Sequence, residues 1–352
     1  MARGRASCSN PVGRFEKWSR ERSVEDDPFL PEEAEPAQVK TVVFIDKTRT
    51  IISRNTSPDV PFDSSINPYR GCEHGCIYCF ARPSHAYLGL SPGLDFETRL
   101  FAKPEAATLL EAELSKASYR PTVIAMGTNT DPYQPIEKKW EITRRILEVL
   151  ERFNNPVTIT TKSGIVVRDL DILQRMARKN LARVFISVTT LKNEIARTLE
   201  PRASSPQRRL AAIRSLSDAG IPTGVLVAPV IPALTDSELE SILQEASESG
   251  ASSAAYILLR LPLEVADLFS EWLQAHHPLK ARHVESLIAQ MRDGAKYDPR
   301  FGKRMTGTGI FAETLRMRFD LACKKLGLNT QRHPLSTEHF DARRNGPQAS
   351  LF

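Results

Sequence analysis

The sequence predicts an α/β fold: a parallel sheet of six strand–helix units forming a partial, TIM-like (β/α)6 barrel, with a C-terminal helical extension. Three observations predict it. Six short apolar runs alternate with amphipathic stretches between residues 65 and 260. That span is about 196 residues, roughly three quarters of the ~250 that eight units take. Beyond Leu261 the strand signal stops and only helical periodicity continues. Strands joined by helices pair in parallel through right-handed crossovers, so a barrel is the expected closure.

The elements follow in order. Residues 1–40 are polar, charged and proline-bearing, with acidic runs at 24–27 and 31–36, and predict a disordered arm. Residues 41–64 form a lead-in, where a strand at 41–45 is expected to pair with 50–52 as a hairpin. The first barrel strand, 65–67, opens into a loop with three cysteines. A helix over 105–117 carries Leu109, Leu110 and Leu114 on one face. Strands are predicted at 122–126, 157–161, 183–188, 223–228 and 254–259. Helices are predicted at 136–153, 167–179, 207–219 and 236–249, the last two closed by Gly220 and Gly250. Residues 261–340 read as a helical cap, with helices at 264–275, 281–292 and 311–326. A glycine-rich basic loop at 297–309 lies within it. Residues 341–352 read as a flexible tail.

The 352 residues suffice for a large core. With 48 Lys and Arg against 42 Asp and Glu, the charge is +6. That permits a phosphate-bearing partner without requiring one. Five cysteines, three of them clustered, point to a reducing compartment and a cytoplasmic protein. No apolar run reaches the ~18 residues of a membrane span. No hydrophobic segment follows the arginines of residues 1–9, so no secretory signal is expected.

Chemistry concentrates at Cys72, Cys76 and Cys79, spaced CxxxCxxC, with Gly71 and Gly75 before the first two. Cysteine thiolates hold iron–sulfur clusters. Three of them leave one iron of a cubane open to an exogenous ligand. The glycines let the backbone take positive φ and curl around a compact object. The competing reading is zinc, with His74 or His85 as the fourth ligand. CxxxCxxC is not a zinc-finger spacing, however, and the chain has no second cysteine pair. Three clustered cysteines cannot all pair as disulfides.

CxxxCxxC with an aromatic, Tyr78, before the last cysteine resembles the signature of the radical S-adenosylmethionine (SAM) superfamily. The wider stretch resembles a narrower group within it. It runs from Ser57-Pro58-Asp59 through Asn67-Pro68-Tyr69-Arg70-Gly71-Cys72 to Asp95-Phe96-Glu97. That group is the DNA-repair-photolyase-like proteins, related to spore photoproduct lyase. The resemblance covers roughly residues 40–340 and independently implies the six-unit barrel. It implies a [4Fe-4S] cluster on Cys72, Cys76 and Cys79, with S-adenosyl-L-methionine chelating the open iron. It also implies reductive cleavage of SAM to methionine and a 5′-deoxyadenosyl radical, which abstracts hydrogen from a substrate. Further implications are a nucleic-acid substrate and an electron donor such as flavodoxin or ferredoxin. A protein or peptide substrate is the alternative within the class; a zinc-bearing nucleic-acid-binding module is the alternative outside it.

The same resemblance nominates cofactor contacts. Tyr78 lies among the cluster ligands. Thr128, Asn129 and Asp131, in the loop after the second barrel strand, would meet the SAM amino end; otherwise they make a plain βα turn. Lys162 ends the third strand and would neutralise the SAM carboxylate; otherwise it is a surface lysine. Ser187, with Thr189 on the same face, would contact the ribose or carboxylate, or else cap a helix. Arg202 would fork onto the SAM carboxylate or pair with Glu200. No residue is assigned as catalytic. Arg300, Lys303 and Arg304 read as a solvated basic loop.

Spore photoproduct lyase is known for a further cysteine that returns hydrogen to the product radical. Here none lies between Cys79 and Cys323. Cys323 shares an apolar helix face with Phe319 and Leu326, and Cys8 falls in the arm.

Overall fold

The computed structural model describes residues 4–15, 39–330 and 334–342. Its strands are β1 (Val42–Ile45), β2 (Ile52–Arg54), β3 (Ser64–Ile66), β4 (Tyr69–Arg70), β5 (Arg99–Ala102), β6 (Ile124–Met126), β7 (Val157–Thr161), β8 (Ala182–Ser187), β9 (Thr223–Val230) and β10 (Ser253–Leu258). Its helices are α1 (Leu94–Thr98), α2 (Ala106–Leu114), α3 (Glu137–Trp140), α4 (Ile142–Phe153), α5 (Leu170–Ala177), α6 (Asn193–Leu199), α7 (Pro206–Asp218), α8 (Leu239–Glu248), α9 (Val265–His276), α10 (Pro278–Gln290) and α11 (Gly309–Leu326).

The main sheet runs β10–β9–β8–β7–β6–β3–β2. Every pair from β3 to β10 is parallel, and β2 closes one end antiparallel to β3. The end strands β2 and β10 do not pair, so the barrel stays open on one side. This is the expected six-unit partial barrel. β7 shows why the pattern was readable: Val157, Ile159 and Thr161 are buried, whereas Thr158 and Thr160 are half-buried. Ile159 stands opposite Val184 of β8. Outside the sheet, α4 buries Ile142, Ile146, Leu147, Leu150 and Phe153 on one stripe. Each such side chain contributes about 2 kcal/mol on burial.

Several expectations are corrected. The lead-in hairpin does not form. β1 instead pairs in parallel with β5, where Phe44 and Phe101 face each other with rings 5.3 Å apart. β2 pairs with β3 and sets Ile52 against Ile66. Cross-strand apolar pairs outweigh the proximity of two short runs. The helix at 136–153 is broken at Glu141, whose φ is 48°. There the Glu137 carboxylate accepts the amide of Thr143, at 3.1 Å, and starts a new helix. The disordered arm is wrong for residues 4–15: Arg5, Ala6 and Ser7 are buried and hydrogen-bonded to the segment around Glu97. The rest of that arm described by the structure is 39–40; 16–38 lie outside the described residues, as do 343–352 of the expected tail. Asp341, the first tail residue, donates its amide to Phe153 O at 3.0 Å.

α9 and α10 pack against the cysteine loop: Leu261, Val265, Phe269 and Trp272 share one buried cluster with Cys76, Ile77 and Tyr78. α11 lies against α8 and ends in Gly327, φ 68°. The basic loop is not simply solvated. Arg304 pairs with Asp59, and Arg300 with Asp293 and Asp298.

Candidate cofactor site

The cysteine loop leaves the C-terminal end of β3, the end at which parallel barrels carry their functional loops. Gly71 and Gly75 have φ of 73° and 68°. A Cβ on Gly71 would come within 2.7 Å of Leu100 and 2.9 Å of the Phe96 carbonyl. On Gly75 it would meet the Glu97 carboxylate at 2.7 Å. The loop thus needs glycine twice, for backbone sign and for space.

Cys72, Cys76 and Cys79 are all free thiols; the first two are buried and the third is half-buried. Burial pushes all three thiols up, Cys76 to about 12. Such thiols stay neutral until a cation arrives to stabilise their thiolates. All three line a cavity of about 120 Å³. The same cavity is lined by Tyr78, Thr128, Asn129, Asp131, Lys162 and Ser187. The ends of β3, β6, β7 and β8 therefore bring six of the seven nominated contacts to the cysteines.

Each contact has its own support. Asn67 organises the β6 loop: its side-chain Oδ1 accepts from the backbone amides of Asn129, at 3.0 Å, and Thr130, at 3.3 Å, and its Nδ2 donates to Thr128 Oγ1 at 3.1 Å. Asp131 is committed to the fold. Its carboxylate accepts from Thr161 Oγ1 at 2.6 Å and the Lys162 amide at 2.8 Å, and lies 3.3 Å from His74 Nδ1. Burial opposes its ionisation, but these partners outweigh it and hold the carboxyl down at about 2. Lys162 Nζ lies 5.7 Å from the Tyr78 ring centroid. Ser187 caps no helix; its hydroxyl donates to Ala228 O at 3.1 Å, and Thr189 Oγ1 lies at the same distance from that oxygen.

Arg202 is corrected. It neither pairs with Glu200 nor lines this cavity; its guanidinium meets Glu73 at 2.8 Å. Glu200 is engaged elsewhere. Fully buried, it accepts from Tyr78 Oη, from Thr189 at 2.7 Å and from Arg209. Burial again opposes ionisation, yet Arg209 and Lys162 hold Glu200 at about 2. Cys8, which the sequence places in the disordered arm, packs against the cluster containing Cys76, Ile77 and Tyr78.

One ring nitrogen of each alternative zinc ligand is engaged elsewhere. His74 faces Asp131, and His85 Nε2 lies 2.9 Å from Arg99 O. Among the described residues, no group of three or more His, Cys, Asp or Glu side chains is arranged to hold a single metal ion.

Residues 66–246, just over half the chain, match the profile of the Radical SAM superfamily. The chain belongs to the radical SAM superfamily. An uncharacterised protein of Mycobacterium tuberculosis is 38% identical over 229 residues, 64% of this chain and 67% of that one. One from Methanocaldococcus jannaschii is 26% identical over 213 residues, 60% of this chain and 76% of its own. In fold, this radical SAM enzyme resembles spore photoproduct lyase complexed with dinucleoside spore photoproduct. The TM-score is 0.57 at 18% identity, covering 82% of this chain and 80% of that one. A mutant of that lyase with bound AdoMet and the same dinucleoside gives 0.54 at 16%, with the same coverage. Radical SAM enzymes use a [4Fe-4S] cluster, SAM and an electron donor. The three free thiols and the lysine beside them fit that pair of cofactors. No helix among the described residues is long and apolar enough to cross a membrane.

Sequence reasoning missed Glu200, Arg209, Asn67 and Glu97. A Glu-Pro-Arg turn and a charged helix start carry no local sign of deep burial. Only the fold brings Glu200 beneath Tyr78.

Proposed function

We propose that Cys72, Cys76 and Cys79 ligate a [4Fe-4S] cluster and that SAM lies across the adjoining cavity. The observation that carries this is the meeting of three free thiols, the Lys162 ammonium and the 128–131 loop at one cavity. When bound, the cluster supplies the electron that cleaves SAM to methionine and a 5′-deoxyadenosyl radical. The chain's residues bind and orient. Lys162 neutralises the SAM carboxylate, the loop held by Asn67 faces the amino end, and Ser187 faces the ribose side. Tyr78 and Glu200 hold the floor between two ligands.

The substrate class favoured here is nucleic acid. It is supported by the fold likeness to a lyase solved with a dinucleoside photoproduct and by the net charge of +6. At the cavity edge Phe80 is exposed, with the Arg260 guanidinium 4.9 Å from its ring. An aromatic with an arginine is a surface on which bases stack. A flavodoxin or ferredoxin in the cytoplasm would serve as reductant.

Anaerobic reconstitution tests the cofactor reading. A brown protein absorbing near ~400 nm is expected, and with dithionite and SAM it should form 5′-deoxyadenosine. A colourless protein holding one zinc would sink the reading. Incubation with deuterated oligonucleotides then tests the substrate, by label carried into 5′-deoxyadenosine.

A further inference from the structure

The residues between the first two cysteines are each gripped from a different part of the chain. Glu73 Oε1 accepts from Thr41 Oγ1 at 2.6 Å and from Arg202 at 2.8 Å. His74 meets Asp131. Gly75 rests against the Glu97 carboxylate. Glu97 is fully buried and forms an ion pair of 2.5 Å with Arg82, also fully buried. Arg82 in turn donates to the carbonyls of Gly75, at 3.1 Å, and Cys76, at 2.9 Å. A buried carboxylate with one arginine still has lone pairs to satisfy. The N-terminal strap satisfies them: the amides of Ala6 and Ser7 donate to the two Glu97 oxygens at 3.1 and 3.0 Å.

Arg5 joins this grip to the one on Glu73. It donates to Glu97 O at 2.9 Å and to Thr41 Oγ1 at 2.8 Å, and Thr41 holds Glu73. Arg5 is 7% exposed, so these bonds are shielded from water. A strap 65 residues upstream of Cys72, which composition assigned to disorder, thus closes a hydrogen-bonded belt around the CxxxC segment.

Resting on the cluster assignment above, we propose that residues 5–7 and Glu97 are positioning residues for the iron–sulfur centre. Arg5, with the amides of Ala6 and Ser7, fixes Glu97 and Thr41. Glu97 and Arg82 then fix the backbone carrying Cys76, and Glu73 fixes the backbone next to Cys72. The belt sets how tightly the cluster is held. The Glu97 charge, seated behind Gly75, also bears on the potential at which the cluster takes an electron. Partners one layer beyond the ligands act on metal affinity and redox potential in this way.

The test uses the full chain, anaerobically reconstituted, as wild type, Arg5→Ala and Glu97→Gln. Iron release to a chelator is followed by absorbance, the midpoint potential by redox titration with electron paramagnetic resonance, and folding by circular dichroism. Arg5→Ala is expected to release iron about tenfold faster, since loss of such partners typically costs 10- to 100-fold in affinity. Glu97→Gln removes a negative charge near the cluster and should raise its midpoint potential. If Glu97→Gln does not fold, Arg5→Ala decides alone. A lower melting temperature with release rate and potential unchanged overturns the proposal and leaves the strap purely structural. A wild-type chain that takes up no iron overturns the cluster assignment itself; loaded wild type with unaltered variants overturns the belt only.

Discussion

Tyr78, between Cys76 and Cys79 in the sequence, donates its phenolic hydroxyl to Glu200, 122 residues further along the chain. Glu200 also binds Thr189 and Arg209, and both Glu200 and Arg209 are buried. Tyr78 thus joins the candidate cofactor cavity to a four-residue polar network in a dry setting, where every member must be satisfied. Replacing Glu200 by Gln leaves the Arg209 guanidinium without its countercharge. Breaking a buried pair by removing one partner costs about 3–5 kcal/mol. Glu200→Gln is expected to lower stability by about 3 kcal/mol at pH 7, read as a shift in urea midpoint. A midpoint within error of wild type would mean that the network carries no net stability.

The same carboxylate makes stability depend on pH in one direction. Held at about 2 by Arg209 and Lys162 against the opposing effect of burial, Glu200 lies below its ordinary 4.5. The folded state thus binds its proton more weakly than the unfolded state. Its stabilisation is complete above pH 4.5 and is lost as pH falls toward 2. Urea midpoints measured across this window should fall more steeply for wild type than for Glu200→Gln, and the two curves should converge at the acid end. Parallel curves would rule out Glu200 as the group responsible.

Much of this was legible, and the reason is local. β7 and β8 alternate buried and half-buried residues, so each strand announces itself within six residues. The cysteine triplet is a spacing within eight residues. What escaped depends on distance in sequence. β1 takes its partner from residues 99–102 rather than from the nearby 50–52, through Phe44 and Phe101. The strap at 5–7 looks disordered because its polar groups find partners far along the chain, at Thr41 and at Glu97, about 90 residues on. Arg202 reads as a neighbour of Glu200, yet the turn points it at Glu73 while Arg209, one helix turn into α7, takes Glu200.

The cysteines separate by role. Cys72→Ala, Cys76→Ala and Cys79→Ala should each lose bound iron after anaerobic reconstitution. Cys323→Ala should keep it, because Cys323 is buried in the α11 face with Phe319 and Ala322. Iron and sulfide content against protein decides it. Full iron in Cys76→Ala would remove the assignment.

Lys162 and Ser187 line the cavity from adjacent strands, but only Lys162 brings a charge to it. A charged hydrogen bond contributes about 1.5–3 kcal/mol, so Lys162→Ala should weaken SAM binding at least about tenfold. Ser187 already donates to Ala228 O, so Ser187→Ala should weaken it less. Iron content should stay at the wild-type level in both. Equilibrium dialysis with labelled SAM measures the effect; unchanged binding in both variants would take these residues out of the site.

Product quenching supplies the last prediction. The resemblance to spore photoproduct lyase implies a cysteine after the cluster motif that returns hydrogen to the product radical. Here Cys323 is the one thiol after Cys79. It sits on the buried face of α11, where burial pushes it up to about 11, and it does not line the cavity. Cys8 does not line it either; half-buried, it packs against the apolar cluster that includes Cys76 and Ile77, and burial raises its thiol as well. A structural thiol buried as Cys323 is stays inert. With no thiol lining the cavity beyond Cys72, Cys76 and Cys79, which the cluster assignment uses, reversal of spore photoproduct would leave a radical without its donor. The protein is therefore expected to cleave SAM reductively without efficient repair of that lesion. Reduced enzyme, SAM and ultraviolet-irradiated DNA containing the lesion, followed by chromatography of released thymine, provide the assay. Thymine formation keeping pace with 5′-deoxyadenosine would show that a different group quenches the radical and would make repair the native reaction; 5′-deoxyadenosine without lesion loss is the expected outcome.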